Sequence, residues 1–316
     1  MRFPKHYLVY IAKITIICIV ALLLYKKLST IDEENIDTVV DLLSVRKNYS
    51  LLFLVLLLTL INWFLEALKW KRLISIIEVV SLKKSLQAVL AGIVGGMVTP
   101  ARIGDFFSRI LFLNSGNKTS GLVASLIGGW AQLVITIVFG FFALSLEITF
   151  NSNRFIDFLL VFSINLLGVC AVVLFFFPEL IFKLPDFIII KKMKQKLNYL
   201  KECNKLILLH VLTISFARYV IFVIQFFILI SIFELNIPFI TIFTGIALTF
   251  ISTAFLSYFL PIELGTRELF ALSYFENYTD NLTAVLTSVF LLWVCNIAIP
   301  GLFGLVVFLR LKFNGK

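Results

Sequence analysis

Long apolar runs are the feature that most limits what this chain can fold into. Six of them offer about the twenty residues that a roughly 30 Å hydrocarbon core requires, at residues 7–25, 50–68, 121–146, 156–177, 205–233 and 283–310. Only 15% of the residues are charged, against about 25% in a soluble domain. Transmembrane β-strands would instead alternate over segments of about ten residues, so the sequence predicts an all-α polytopic membrane protein. No small-residue cleavage site follows the first run, and we therefore expect a retained helix there rather than a signal peptide.

The distribution of charge and the cysteines argue against two other classes of protein. The formal net charge is +10 at pH 7, but the basic residues cluster in loops between apolar runs, as the positive-inside rule predicts for a membrane protein. We therefore expect no nucleic-acid partner. Three cysteines lie in apolar runs and the fourth, Cys203, lies in a basic loop, with no Cys-x-x-Cys spacing. This usage predicts neither a disulfide framework nor a metal site.

Two apolar regions are interrupted, and their spacing suggests an internal repeat. Residues 85–113 contain Pro100 and Gly104, and residues 240–276 contain Pro261 and Gly265, so that each region carries a Pro-x-x-x-Gly break. The order of the flanking apolar runs is the same on both sides. We therefore predict one integral membrane domain over residues 1–316, with one repeat at about 7–146 and a second at about 156–310.

The predicted topology follows from the basic loops. If residues 85–113 crossed the membrane once, the lysine-rich loop at 178–204 would lie outside, whereas a re-entrant pair of helices places it inside. The positive-inside rule favours re-entry. Each repeat then has three spanning helices and one Pro/Gly-broken re-entrant pair, so the second copy is inverted, an architecture typical of transporters with a midplane site. We expect an inner or plasma membrane location with both termini cytoplasmic.

The second break allows another arrangement. Residues 240–260 are long enough to cross the membrane, and two full passes there would leave the orientation of the later segments unchanged.

The first break carries three charges on one predicted helix face, namely Arg102, Asp105 and Arg109. Thr99 and Pro100 have the chemistry of an N-cap and a first helical residue, which predicts a half-helix with its positive end inside the membrane. Each charge costs roughly 2.5–3.5 kcal/mol near the middle of a bilayer. Asp105 is expected to pair with one arginine or to bridge both.

The second break carries Glu263, Arg267 and Glu268, and the span at 205–233 carries Arg218. Two interpretations remain open for these charges and for those of the first break. They pair across the two breaks and hold the repeats together, or they form a site for an anionic ligand, for which the forked donors of arginine suit phosphate.

A basic amphipathic segment at 187–204 has lysines on one face and apolar residues on the other. It is expected to lie on the inner membrane surface and to contact anionic lipid there. A plain positively charged loop is the alternative.

The stretch Pro100-Ala-Arg102-Ile-Gly104-Asp105-x-x-x-Arg109 resembles a motif of the flippase-like integral membrane family related to the transmembrane region of lysylphosphatidylglycerol synthases. A second family motif, Pro-x-x-x-Gly-x-x-Glu, matches Pro261 to Glu268. The resemblance extends over essentially the whole chain, but Glu263 and Arg267 stand where the family is often glycine-rich. Only six residues follow the last apolar run, so we expect lipid translocation without an aminoacyl-transferase domain.

The leading hypothesis is therefore a translocase for a phospholipid or a lipid-linked saccharide with an anionic head group. The predicted substrate-binding residues share an intramembrane position and a charge, and they are Arg102, Asp105, Arg109, Arg218, Glu263, Arg267 and Glu268. The alternatives are a membrane-embedded lipid or polyprenyl-phosphate transferase and a non-catalytic partner of an envelope glycosyltransferase. No residue pattern predicts a cofactor, and an enzyme is the less favoured class.

Overall fold

The computed structural model describes residues 37, 41–97, 99, 102–151, 155–177, 204–257 and 265–310, and these residues are helical apart from short connections. The first five helices are α1 (Arg46–Ile74), α2 (Leu82–Met97), α3 (Ile103–Arg109), α4 (Lys118–Asn151) and α5 (Phe155–Phe176). They are followed by α6 (Lys205–Ile232), α7 (Phe239–Ser257), α8 (Thr266–Phe275), α9 (Leu282–Trp293) and α10 (Ile299–Leu309). A π-helical turn at Val294–Ala298 joins the last two.

Six helices in this part of the chain are long and apolar enough to cross a membrane. Five of them correspond to the apolar runs predicted from residue 50 onward, and the sixth is α7, at residues 239–256. The multi-pass helical membrane class is thereby confirmed. The predicted span at 7–25 and the basic segment at 187–204 lie outside the described residues, apart from Asn204.

Helix α1 is longer than the apolar run that predicted it. It continues to Ile74, six residues beyond the end of the run at 50–68. Lys69 belongs to the helix and is only 1% exposed. Lys69 therefore lies inside the helix bundle rather than in the connection after the run, because a buried carboxylate neutralises its ammonium group.

Helices α2 and α3 form a tight hairpin on either side of the first break. Gly95 of α2 lies directly against Gly104 of α3, and a Cβ on either glycine would overlap the backbone of the other. A Cβ at Gly92 would likewise overlap the carboxylate of Asp105. Small residues thus allow the two backbones to touch, as they do where membrane helices pack closely.

Helices α7 and α8 form the corresponding pair, one before and one after the second Pro-x-x-x-Gly break. Gly245 of α7 lies against the rings of Tyr274 and Phe275, near the end of α8, so the two helices also run back along each other. The order long helix, helix pair, long helix is therefore the same in residues 46–151 and 205–309.

The contacts between these two halves are reciprocal. The first long helices, α1 and α6, pack together. Gly304 of α10 lies against the backbone of Leu90 in α2, and Gly140 of α4 lies against Ile251 in α7. Each helix pair therefore packs on the last long helix of the other half. A two-fold relation between the halves would produce this reciprocal packing. That the second repeat is inverted, and that the helix pairs enter and leave the membrane on one side, stay predictions.

The π-helical turn in the last long helix is followed by Pro300, which leaves one carbonyl of the turn without its α-helical partner. Pro300 lacks the N–H that would bond the carbonyl of Asn296 in an α-helix. The indole Nε1 of Trp63 donates to this carbonyl instead, at 3.0 Å. Helix α1 thereby satisfies the backbone group that the proline leaves open.

Glu78, in the connection between α1 and α2, fixes the end of the hairpin to the rest of the molecule. Its Oε2 accepts hydrogen bonds from Asn117 Nδ2 at 2.7 Å and from the backbone N–H of Asn114 at 3.1 Å. Burial raises the pKa of Glu78, whereas these hydrogen bonds and the charge of Lys84 lower it. Together they outweigh burial, so the pKa of Glu78 lies below the ordinary value of 4.5. The carboxylate therefore stays charged and holds the two connections together at neutral pH.

Candidate functional site

Glu66, in the middle of α1, is the centre of a buried cluster of charges. Its Oε1 accepts from Arg109 Nη1 at 2.6 Å, and its Oε2 pairs with Lys69 Nζ at 2.7 Å and with Arg218 Nη1. The side chain of Glu66 is only 6% exposed. One carboxylate thus joins three cations that come from α1, α3 and α6.

Arg109 and Asp105 form a further ion pair of this cluster. Arg109 Nε donates to Asp105 Oδ1 at 2.6 Å, and Nη2 donates to Oδ2 at 2.8 Å. This bidentate geometry is the strongest form of an arginine–carboxylate contact. The expected pairing of Asp105 with one arginine is confirmed for Arg109, whose third contact is the one to Glu66.

Arg218 and Lys69 connect the cluster to α4 and to the preceding turns of α1. Arg218 Nε donates to Asn62 Oδ1 at 2.7 Å, and its guanidinium lies 5.5 Å from the ring centroid of Trp63. Lys69 Nζ donates to the backbone carbonyl of Gly128 at 3.1 Å. The cations are therefore held by four helices and do not face solvent.

A ladder of amide groups extends from Arg218 to the π-helical turn. Asn62 Nδ2 donates to Asn296 Oδ1 at 3.1 Å, and Asn296 Nδ2 donates to Gln225 Oε1 at 3.0 Å. Gln225 Nε2 then donates to Thr59 Oγ1 at 2.8 Å. All the donors point away from the charge cluster, so each hydrogen bond polarises the next.

The cluster carries an excess of positive charge. Lys69, Arg109 and Arg218 supply three cations, and Glu66 and Asp105 supply two carboxylates, which leaves one positive charge without a counter-charge among these five. Charge of this kind is costly inside a membrane protein and marks a functional site by default. An anionic group would complete the electrostatic balance.

Arg102 lies beside the cluster, since a Cβ at Gly96 would meet the side chains of both Arg102 and Asp105. It is the N-cap of α3 and has a left-handed backbone conformation, with φ of 54°. A Cβ at Gly96 would lie 3.3 Å from Arg102 Nε, so the arginine packs over the glycine face of α2. Arg102 is half-buried, unlike Arg109 and Arg218, which are both 6% exposed.

The beginning of α3 differs from the prediction. The sequence places the N-cap at Thr99 and the first helical residue at Pro100, whereas α3 begins at Ile103 and has only seven residues. Thr99 Oγ1 still accepts the N–H of Gly104 at 2.7 Å, and it donates to the carbonyl of Gly95 at 2.8 Å. The threonine thus closes the turn between the two helices, and the helix starts after it. Pro100 lies outside the described residues.

The second break supplies a different local arrangement. Gly265 takes a φ of 93°, which favours glycine, and its N–H donates to Glu268 Oε2 at 2.6 Å. Glu268 therefore caps its own helix, α8, and Arg267 follows Thr266 in the first turn of that helix. Pro261 and Glu263 lie outside the described residues, so an ion pair between the two breaks stays a prediction.

Residues that carry the cluster were missing from the predicted site. The predicted substrate-binding residues include neither Glu66 nor Lys69, although both belong to the cluster. A signal was present in the spacing of Thr59, Asn62, Glu66 and Lys69, because steps of three and four residues place polar side chains on one face of a helix. Their partners lie up to 234 residues away along the chain, and such contacts have no local signature. Among the described residues, no group of histidine, cysteine, aspartate and glutamate side chains could hold a metal ion.

Comparison with protein families gives one match. The family model for the transmembrane region of lysylphosphatidylglycerol synthase matches residues 10–304, a range that contains every residue of the charge cluster and both helix pairs. No curated protein matches the chain.

Proposed function

Since the chain belongs to the lysylphosphatidylglycerol synthase transmembrane-region family, whose members are membrane proteins of lipid handling, we propose that it translocates a lipid with an anionic head group across the membrane. The observation that carries the proposal is the buried charge cluster with its excess positive charge. The phosphate of a phospholipid or of a lipid-linked saccharide is the counter-charge that the cluster lacks.

The position of the cluster supports transport rather than a purely structural role. It is built at the contact of the α2–α3 hairpin with α1, α4 and α6, and the reciprocal packing of the two halves is what an inverted repeat would produce. In transporters of that architecture the substrate site lies near the middle of the membrane, between the repeats. Arg102 is less buried than Lys69, Arg109 and Arg218, so we expect a head group to reach it first.

The translocation experiment uses the full chain in vesicles that contain a trace of fluorescent phosphatidylglycerol. Membrane-impermeant dithionite quenches only the label in the outer leaflet, so a translocase makes the inner-leaflet label accessible as well. We expect faster loss of the protected fraction with the protein than with empty vesicles, and a smaller effect with fluorescent phosphatidylcholine. Equal rates with and without protein for the anionic lipid would contradict the proposal.

Arg102 and Arg109 are expected to respond differently to the same conservative change. Arg102→Lys keeps the charge but removes the forked donor, and it should weaken head-group binding by roughly 1–2 kcal/mol, the scale of one charge-assisted hydrogen bond. Arg109→Lys removes the bidentate contact to Asp105 and should chiefly lower the Tm. Lipid binding and thermal unfolding of both variants in one detergent are the measurements. Normal binding by Arg102→Lys, together with lost binding and unchanged Tm for Arg109→Lys, would place the head group at Arg109 instead.

The re-entrant depth of the first hairpin is tested by the sidedness of the connection before α4. If α2 and α3 enter and leave on one side, Lys118, the first residue of α4, lies on the cytoplasmic side. We expect Lys118→Cys, in a background without the four native cysteines, to resist an impermeant maleimide added to intact cells and to react after permeabilisation. Rapid labelling from outside would eliminate the re-entrant hairpin and with it the inverted repeat.

A further inference from the structure

A seam of aromatic side chains runs from the neighbourhood of the charge cluster to the outer surface of the helices. It consists of Phe139 and Phe142 of α4, Phe216 and Tyr219 of α6, and Phe243 and Phe250 of α7. Phe142 and Phe216 are 46% and 43% exposed. Because these helices are apolar enough to span a membrane, the exposed end of the seam faces hydrocarbon.

Tyr219, at the inner end of the aromatic seam, carries a buried hydroxyl that no described residue partners. The residue is 2% exposed, and its Oη has no hydrogen-bond partner in the described part of the chain. Its ring stacks on Phe139 with centroids 4.8 Å apart, and Phe250 meets it edge to face at 5.9 Å. A buried hydroxyl without a partner costs free energy that a phenylalanine at this position would not.

The aromatic seam and the charge cluster are continuous along two helices. Tyr219 follows Arg218 directly in α6. In α4, Gln132 accepts from Arg218 Nη1 at 3.4 Å, and Phe139 lies two helical turns further on, about 10 Å along the helix. The distance from head-group phosphate to the first acyl carbons of a phospholipid is of the same order, so one lipid could contact both features.

We propose that the aromatic seam is the lateral site for the hydrocarbon chains of the substrate lipid, and that the Tyr219 hydroxyl donates to a phosphate or ester oxygen of that lipid. In the present arrangement the rings pack on one another and close the seam. A lipid entering from the membrane separates α4 from α6, places its chains among the phenylalanine rings and gives the Tyr219 hydroxyl an acceptor. This inference rests on the proposed function and adds where the lipid lies.

The change Tyr219→Phe separates this role from a structural one. Because the hydroxyl has no partner in the closed seam, its removal should leave the Tm unchanged or raise it. Binding of fluorescent phosphatidylglycerol to the full chain in detergent micelles should weaken about fivefold to tenfold, the effect of one hydrogen bond in a water-poor site. Binding thus weakens without a loss of stability, whereas a packing defect would lower both.

Tyr274→Phe is the matched control, since it removes a hydroxyl that donates to Glu147 Oε2 at 3.2 Å, outside the aromatic seam. It should leave binding of the same lipid within twofold of the wild type. Binding by Tyr219→Phe within twofold of the wild type, while Arg102→Lys binds weakly, would overturn the assignment of Tyr219 and leave the proposed function standing. A wild-type protein that binds neither anionic nor zwitterionic lipid would overturn both.

A phosphatidylglycerol with a photoreactive diazirine in its acyl chain tests the aromatic seam by a second route. Irradiation of the full chain should attach the lipid to peptides of α4 and α6 that contain Phe139, Phe142 or Phe216. Unlabelled phosphatidylglycerol in excess should suppress this attachment. Attachment only to α5, whose apolar side chains are largely exposed, would show that the acyl chains stay in the surrounding membrane and would overturn the proposal.

Discussion

Replacement of Glu66 by glutamine should lower the free energy of unfolding by about 3–5 kcal/mol, the range found when one partner of a buried ion pair is removed. The change preserves the shape of the side chain but removes the counter-charge of Lys69, Arg109 and Arg218. Asp105 then faces three cations alone, in a region from which water is excluded. Thermal unfolding of purified protein in one detergent, followed by intrinsic fluorescence, measures the loss.

The same substitution at an exposed glutamate is the control for Glu66→Gln. Glu234 lies at the end of α6 and is exposed, so Glu234→Gln should change stability by less than about 0.5 kcal/mol. If excess charge is the cause, a second change, Lys69→Met, should restore part of the stability lost by Glu66→Gln, because it removes one of the three cations. Equal Tm values for Glu66→Gln and Glu234→Gln would show that the cluster does not hold the helices together.

Gly95→Ala is expected to separate the two helices of the first hairpin. The new methyl group would overlap the backbone carbonyl of Gly104 and the hydroxyl of Ser108, and backbone atoms cannot move aside as the end of a flexible side chain can. Overpacking of this kind costs about 1–3 kcal/mol. We also expect loss of lipid translocation, because α3 carries Asp105 and Arg109 and a shift of α3 moves both away from Glu66.

Gly116→Ala is the matched control for the hairpin. It makes the same substitution in the short connection between α3 and α4, where a Cβ would meet no atom within 4 Å. It should leave translocation unchanged and alter the Tm only slightly, since the loss of glycine freedom in the unfolded chain favours the folded state by about 0.4–1 kcal/mol. Normal translocation by Gly95→Ala would mean that the contact of the hairpin backbones is not needed for function.

The charge cluster shows which parts of such a site can be predicted from sequence. The pair of Asp105 and Arg109 could be predicted, because a spacing of four residues brings two side chains together on any helix. The role of Glu66 could not, because two of its three partners, Arg109 and Arg218, lie 43 and 152 residues away and their meeting depends on how α1 packs against α3 and α6.

The segment before α3 shows a limit of a different kind. The sequence identifies Thr99 as a capping residue. Its hydroxyl, however, bonds across the turn to Gly95 and Gly104 and not to the N–H groups two or three residues after it, as an N-cap would. The capping preference of threonine therefore identifies the residue that closes the turn, but it places the beginning of the helix a few residues too early. The contact of the two glycine-bearing backbones, a tertiary feature, decides where the helix can start.

The π-helical turn at Val294–Ala298 sets the phase of the last long helix. A turn of this kind holds one more residue than an α-helical turn, and one residue corresponds to about 100° of rotation at 3.6 residues per turn. Asn296 points toward Asn62 and Gln225, whereas Gly301 and Gly304, one to two turns later, face α2. In an uninterrupted α-helix Gly301 and Gly304, five and eight residues after Asn296, would lie about 140° and 80° around the helix axis from it. The π-helical turn takes up one residue within a single turn and so rotates both glycines back by about 100°. One continuous rod thereby directs its amide and its glycines to the same side, where α1, α6 and α2 lie.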